Sequence, residues 1–228
     1  MKTCLLVCDH VLPAFEPING DYPEMFQKLF PELELEPYFV CDGFFPEIEG
    51  YDQFICTGSK FSVYDDEGWI VELLRFIRNV AHTDKKFVGV CFGHQAIAHA
   101  LGGETSPAGV GWNIGVHTFE IEQFQRWMLP ELPSYNILML CQDQVQSLPP
   151  KGEVLAHSAE CPIGMFHIDQ QFLGIQGHPE FSKTYNQALY TSRIDRIGQE
   201  KVMAADESLK MNVDQELFET WIIQFLKS

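Results

Sequence analysis

Basic residues are scarce in this chain of 228 residues. Its 15 Lys and Arg stand against 32 Asp and Glu, which gives a formal net charge of −17. Proteins bind nucleic acids and anionic membranes through basic faces. The charge balance therefore excludes both as the main partner. Long apolar runs are missing too, and no stretch approaches the ~20 apolar residues that a membrane-spanning helix needs.

An export signal and a disulfide framework are also absent. The apolar run at residues 4–8 is shorter than the core of a signal peptide, and Asp9 and His10 interrupt it. The seven cysteines are odd in number and have no framework spacing. We therefore expect free thiols, a reducing environment and a cytoplasmic location.

The sequence lacks the motifs that commonly hold phosphate groups or metal ions. It has neither a P-loop nor a Gly-x-Gly-x-x-Gly segment. Cys4 and Cys8 form one closely spaced pair, but no second pair of ligands follows, and the histidines form no recognisable ligand set. We therefore predict no metal site and no cofactor, and we interpret both cysteines as core residues of a strand.

The first hundred residues alternate between strand-like and helix-like segments. Short apolar runs predict strands at residues 4–8, 35–41, 53–57 and 87–90. Helical periodicity predicts helices at residues 22–30, 67–80 and 94–101. Pro37 favours an edge position for the second strand. This alternation is typical of a parallel sheet with helices on both faces.

The segments after residue 104 have a different character. Short strand-like runs separated by turns are predicted at residues 115–122, 137–141, 154–157, 165–168 and 172–176. We expect them to extend the same sheet in a partly antiparallel manner. Helices predicted at residues 184–197 and 215–226 would close the fold. The sequence thus predicts the α/β class: a single flavodoxin-like domain over residues 1–228, with a central, mostly parallel mixed sheet flanked by helices.

The segment Gly89-Val90-Cys91-Phe92-Gly93 joins a predicted strand to a predicted helix. Glycines on both sides of Cys91 suit a sharp strand-to-helix turn that lifts a nucleophile out of the sheet. The N-terminus of the following helix would favour the thiolate, which is the reactive form of cysteine. Because cysteine is also a common buried residue of strands, this segment alone leaves both interpretations open.

A second motif, Gly177-His178-Pro179-Glu180, follows the last predicted strand. A cysteine nucleophile needs a base, and the base needs a group that orients it. Proline favours an extended backbone at His178, in which residues i and i+2 point to the same side. A turn histidine beside a solvated glutamate is the alternative. Because both motifs lie at the carboxyl ends of strands, where open α/β sheets place their sites, we predict that Cys91, His178 and Glu180 converge.

These motifs, in this order, resemble the class I glutamine amidotransferase family. The resemblance is to its stand-alone proteins that are similar to the glutaminase domain of GMP synthase, and to γ-glutamyl peptidases. Thr57-Gly58-Ser59 is similar to the oxyanion loop of the family, and Gly111-Trp112-Asn113-Ile114-Gly115 is similar to its Gly-Trp segment. The resemblance implies a Cys-His-Glu triad of Cys91, His178 and Glu180.

The resemblance also implies roles around this triad. The backbone N–H groups of Gly58 and Phe92 would stabilise the oxyanion, and Gln95 would contact the bound glutamine. An exposed helix residue is the alternative interpretation of Gln95. A departure from the family pattern occurs at Gln142, where synthase-type relatives often carry a histidine before the aspartate that is Asp143 here.

Three functional hypotheses follow from the resemblance. The first is hydrolysis of the γ-amide of glutamine, or of another small γ-glutamyl compound, through a cysteine thioester. The second is a glutaminase subunit that delivers ammonia to a separate synthase partner. The third is a catalytically silent relative that only binds a partner. The departure at Gln142 favours the first hypothesis over the second.

Overall fold

The computed structural model describes residues 1–228 and contains eleven strands. They are β1 (Thr3–Val7), β2 (Leu35–Phe39), β3 (Gln53–Cys56), β4 (Lys86–Val90), β5 (Glu104–Pro107), β6 (Asn113–Ile121), β7 (Ser134–Cys141), β8 (Asp143–Ser147), β9 (Gly152–His157), β10 (Met165–Ile168) and β11 (Phe172–Ile175). Nine of them form one sheet in the order β2-β1-β3-β4-β11-β10-β9-β6-β7, whereas β5 and β8 pair with each other in a separate ribbon.

The large sheet divides into a parallel and an antiparallel half. The first five strands in the order, β2 to β11, pair in parallel, and the four remaining pairings are antiparallel. Only β10 and β6 are therefore reversed, and seven of the nine strands run in one direction. The predicted fold class, α/β with a mostly parallel mixed sheet flanked by helices, is confirmed. Strand β2 lies at the edge, as Pro37 predicts.

Eight helices accompany the sheet. They are α1 (Glu16–Asn19), α2 (Tyr22–Leu29), α3 (Gly68–Val80), α4 (Phe92–Ala100), α5 (Lys183–Thr191), α6 (Ile194–Ile197), α7 (Gln199–Ser208) and α8 (Gln215–Lys227). No helix combines the length and the apolar character that crossing a membrane requires.

The core lies in two layers, one on each face of the sheet. In β1, Leu5 and Val7 belong to one buried cluster, and Cys4 and Leu6 belong to the other. This follows from the two-residue period of a strand, and it explains why a strand covered on both faces reads as an uninterrupted apolar run. Residues of α2, α5 and α8 pack into the first cluster, and residues of α3 and α4 pack into the second.

Most predicted elements occur within a few residues of their predicted bounds, but the helix expected at residues 184–197 is wrong in extent. It is broken into α5 and α6, because the backbone leaves the helical conformation at Arg193, with φ −110° and ψ 15°. The ribbon of β5 and β8 and the helix α7 were not expected. Both ribbon strands are short and polar, so they carry no apolar alternation that sequence could reveal.

Candidate active site

Cys91 occupies a sharp turn between the end of β4 and the start of α4. Its backbone has φ 51° and ψ −100°, a strained conformation for a residue other than glycine. The Cys91 N–H donates to the Ile175 carbonyl oxygen at 2.8 Å, which ties the turn to β11. A Cβ on Gly89 would lie 2.3 Å from the carbonyl oxygen of Gly93. The turn therefore depends on the first glycine of the motif.

His178 and Glu180 follow β11 and form a buried pair. The His178 Nδ1 atom lies 2.8 Å from Glu180 Oε1, and the two side chains are only 4% and 0% exposed. The imidazole stacks on the Phe181 ring with centroids 4.0 Å apart, and the His178 N–H donates to the Leu138 carbonyl oxygen at 2.8 Å. This arrangement excludes the alternative of a turn histidine beside a solvated glutamate.

The Cys91 and His178 side chains converge next to Gly58. A Cβ on Gly58 would lie 3.0 Å from Cε1 of His178 and 3.7 Å from Cβ of Cys91. Nε2 of His178 has no hydrogen-bond partner elsewhere in the protein. Burial opposes a charge on this ring, but the charges of Cys91 and Glu180 outweigh it and raise the pKa of His178 to about 10. An imidazole held in this way can take a proton from a thiol and return it to a leaving group.

Two backbone N–H groups near the Cys91 side chain have no hydrogen-bond acceptor. The N–H groups of Gly58 and Phe92 donate to no acceptor in the protein. Their neighbours are fixed, because the Gly93 N–H donates to the Thr57 carbonyl oxygen at 3.2 Å and the Thr57 N–H donates to the Leu6 carbonyl oxygen at 3.1 Å. The first turn of α4 is thus held against the loop after β3, which keeps both free donors near the thiol.

Gln95 lies one turn along α4 and is buried, which excludes its interpretation as an exposed helix residue. Its amide nitrogen donates to the Asp143 carbonyl oxygen at 2.8 Å and to Gln176 Oε1 at 3.2 Å. The fully buried Gln176 in turn points its amide nitrogen at the Cys91 sulfur, at 3.6 Å. Sequence reasoning missed Gln176, although a polar residue directly after an apolar strand and two residues before His178 was a usable signal.

A cavity of about 330 Å³ opens over Cys91 and Gln95. A smaller chamber of about 70 Å³ is bounded by His178 and Phe181. Both spaces share lining residues, which are Leu12, Ser59, Lys60, Leu140 and Arg193. They therefore form one cleft along the carboxyl ends of the parallel strands, the expected location for a site in an open α/β sheet.

Three side chains of the kinds that bind metal ions lie close together outside the predicted triad. Ligand atoms of His10, Cys41 and Asp42 lie within 4.8 Å of one another. His10 Nε2 is 3.0 Å from an Asp42 carboxylate oxygen. The residues come from the ends of two different strands, so their spacing in sequence carries no ligand signature. Burial, with the nearby Asp42 charge adding to it, raises the pKa of the Cys41 thiol to about 12 and opposes its ionisation.

Known proteins are similar in sequence to this chain. The profile of the family described as Glutamine amidotransferase class-I matches residues 47–194. Gamma-glutamyl peptidase 3 of Arabidopsis thaliana is 33% identical over 195 residues, which cover 83% of this chain and 69% of that protein. A glutamine-hydrolyzing GMP synthase subunit of Methanosphaera stadtmanae is 34% identical over 116 residues, which cover 46% of this chain and 56% of that protein.

A similar fold occurs among solved structures. A glutamine amidotransferase from Thermotoga maritima superposes with a TM-score of 0.79 and covers the whole of both chains. Its sequence identity to this chain is 17%. This likeness concerns the fold alone.

Proposed function

The chain belongs to the glutamine amidotransferase class-I family, and we propose that it hydrolyses the γ-amide of glutamine or of a γ-glutamyl compound through a thioester on Cys91. One observation carries the proposal: the Cys91 thiol, on its strained turn, converges with the buried pair of His178 and Glu180. Nucleophile, base and orienting carboxylate are then three side chains of one buried cluster.

In the first half-reaction, the Cys91 thiolate attacks the γ-carbonyl carbon of the substrate and a C–S bond forms. The electron pair of the carbonyl moves to its oxygen, where the N–H groups of Gly58 and Phe92 donate to the developing charge. Donors of this kind contribute roughly 3–4 kcal/mol each. As the C–N bond breaks, protonated His178 gives its Nε2 proton to the departing nitrogen. Ammonia or an amine leaves, and a γ-glutamyl thioester remains.

Water completes the cycle. Neutral His178 takes a proton from water while the water oxygen adds to the thioester carbonyl carbon. The C–S bond then breaks, glutamate is released, and the thiolate of Cys91 again faces a protonated imidazole. Glu180 stays ionised throughout and accepts from Nδ1, which fixes the ring orientation and supports its positive charge. Gln95, which lines the cavity over Cys91, would contact the glutamyl portion.

The relatives support two versions of this chemistry. The 33% identity with gamma-glutamyl peptidase 3 favours a free-standing hydrolase of γ-glutamyl compounds. The 34% identity with the GMP synthase subunit, over 46% of this chain, favours a glutaminase that supplies ammonia to a separate synthase. Both versions require the same thioester, so the substrate and the fate of the amine distinguish them.

Glutamate release tests the proposal. We expect the purified protein to release glutamate from a γ-glutamyl dipeptide or from glutamine, and we expect the Cys91→Ala variant to release none. A glutamine-analogue electrophile should add one equivalent at Cys91, detected by mass spectrometry of the digested protein. The control variant Cys4→Ala, which alters a buried thiol outside the cleft, should retain both properties.

The substrate pattern decides between the versions. Release from γ-glutamyl peptides without any added protein supports the free hydrolase. Release from glutamine that appears only with an added synthase supports the glutaminase that delivers ammonia. If neither substrate is cleaved and no adduct forms at Cys91, the proposal is wrong and the chain is a silent relative.

A further inference from the structure

Two arginines of the cleft lie close to the indole of Trp112. The guanidinium carbon of Arg193 lies 5.7 Å from the Trp112 ring centroid, and that of Arg196 lies 5.5 Å from it. These distances are within the ~6 Å range of cation–π contacts. Neither guanidinium group forms an ion pair or a hydrogen bond with another group of the protein. Both therefore keep their hydrogen-bond donors available.

The other charged groups of the cleft already have hydrogen-bond partners in the protein. Lys60 Nζ lies 2.6 Å from an Asp9 carboxylate oxygen. The Asp143 carboxylate accepts from the hydroxyl groups of Ser62 at 2.5 Å and Tyr64 at 3.0 Å. Three basic residues line the cleft, Lys60, Arg193 and Arg196, against the two carboxylates of Asp9 and Asp143. The chain as a whole has the opposite balance, with 32 acidic and 15 basic residues. This local excess predicts an anionic ligand rather than a solvated surface.

Arg193 is also partly removed from water. Burial lowers its pKa, with the nearby positive charge of Arg196 adding to that effect. A partly buried cation without a counter-ion is unfavourable, and a carboxylate that binds both guanidinium groups would relieve this. The planar guanidinium fork suits two parallel hydrogen bonds to a carboxylate.

The position of Arg193 indicates which end of a substrate this pair would bind. Arg193 lines both the cavity over Cys91 and the chamber beside His178. Because His178 would deliver a proton to the departing nitrogen, the departing portion must extend on the His178 side. Gln95, in contrast, lines only the cavity over Cys91. Arg193 therefore reaches the His178 side of the cleft, where the departing portion would extend.

We propose that Arg193 and Arg196, positioned by Trp112, bind a carboxylate on the departing portion of the substrate. The substrate class is then a γ-glutamyl peptide with a free carboxyl terminus, and not free glutamine, whose departing group is neutral ammonia. This inference rests on the function proposed above and specifies its substrate.

A matched pair of peptides tests the inference. γ-Glutamyl-alanine and γ-glutamyl-alanine amide differ only in the carboxylate that the arginines would bind. We expect wild-type kcat/KM to be about tenfold higher for the acid, as fits one charge-assisted contact. Arg193→Gln and Arg196→Gln should lose this preference through a higher KM for the acid, and should change the amide rate less than twofold. Arg126→Gln, which removes an arginine outside the cleft, should behave like wild type.

Binding to a Cys91→Ala background separates this inference from the proposed reaction. Calorimetry in that background should show a preference for the acid that Arg193→Gln abolishes, whether or not the wild type turns the peptides over. Equal kcat/KM values for the two peptides in the wild type, or equal affinities in the Cys91→Ala background, would overturn the inference. Equal losses on both peptides would overturn it as well, because the arginines would then bind the α-carboxylate that both peptides share. Arg196 is exposed, so its variant tests the inference even if Arg193→Gln does not fold.

Discussion

The Nδ1 atom of His178 lies 2.8 Å from Oε1 of Glu180, and neither side chain is more than 4% exposed. The second carboxylate oxygen of Glu180 has no partner. The glutamate therefore acts on the imidazole through one hydrogen bond and one negative charge. Both can be changed separately, because glutamine keeps the hydrogen-bonding shape of the side chain and removes its charge.

Glu180→Gln is expected to lower kcat by about 10²–10⁴-fold. The imidazolium loses its counter-charge, and the amide can donate to Nδ1 and so stabilise the wrong tautomer of the neutral ring. KM should change less than about threefold, since Glu180 does not face the substrate. Steady-state rates with a γ-glutamyl substrate measure both constants.

A second histidine–glutamate pair provides the matched control. His167 Nε2 lies 3.0 Å from Glu153 Oε2, outside the cleft. Glu153→Gln should leave kcat and KM unchanged. Equal losses in the two variants would mean that the effect of Glu180→Gln is structural.

The pKa of His178 is expected to depend on Cys91. The charges of Cys91 and Glu180 raise it from an ordinary 6.5 to about 10 against the effect of burial. Cys91→Ser removes one of those charges and should lower this pKa, which NMR titration of the imidazole Cε1 proton measures. An unchanged titration would show that Cys91 and His178 do not interact.

The same shift predicts how stability varies with pH. A raised folded-state pKa means that protonated His178 stabilises the folded state fully below about pH 6.5, and that this stabilisation is lost as pH rises through about 10. The free energy of unfolding of the wild type should therefore fall over this interval more steeply than that of Cys91→Ser. Urea unfolding at a series of pH values measures the difference.

Gln176 is expected to tune the reactivity of the thiol. Its amide nitrogen donates toward the Cys91 sulfur at 3.6 Å. Gln176→Leu should slow alkylation of Cys91 by iodoacetamide at neutral pH by about tenfold, the effect of losing one hydrogen bond to a charged group. Gln146→Leu, at an exposed position, should alkylate at the wild-type rate. Equal alkylation rates in the two variants would mean that Gln176 does not affect the reactivity of Cys91.

Gly89→Ala is expected to destabilise the fold by about 2 kcal/mol or more, because the added Cβ would meet backbone atoms of Gly93 that cannot move freely. Gly109→Ala is the control, since a Cβ there meets nothing within 4 Å. Its stability should stay within about 1 kcal/mol of the wild type. Urea unfolding compares them, and equal stabilities would show that the turn tolerates a side chain.

Much of the fold could be predicted from local patterns. Strands β4 and β11 and helix α3 agree with prediction to within two residues, because apolar runs and helical periodicity are local properties. The ribbon of β5 and β8 could not be predicted, since its polar strands are defined by pairing with each other. The break between α5 and α6 is a change of backbone conformation at Arg193, for which hydrophobic periodicity carries no signal.

The sequence by itself determined the chemistry of the candidate site: a cysteine in a glycine-bracketed turn and a histidine two residues before a glutamate. Such motifs are local, because steric limits on a turn and the alternation of an extended chain act over a few residues. Only the tertiary structure decided what surrounds them. It brought Gln176 to the sulfur and Arg193 to Trp112, because contacts between distant segments are set by strand order and packing rather than by spacing along the chain.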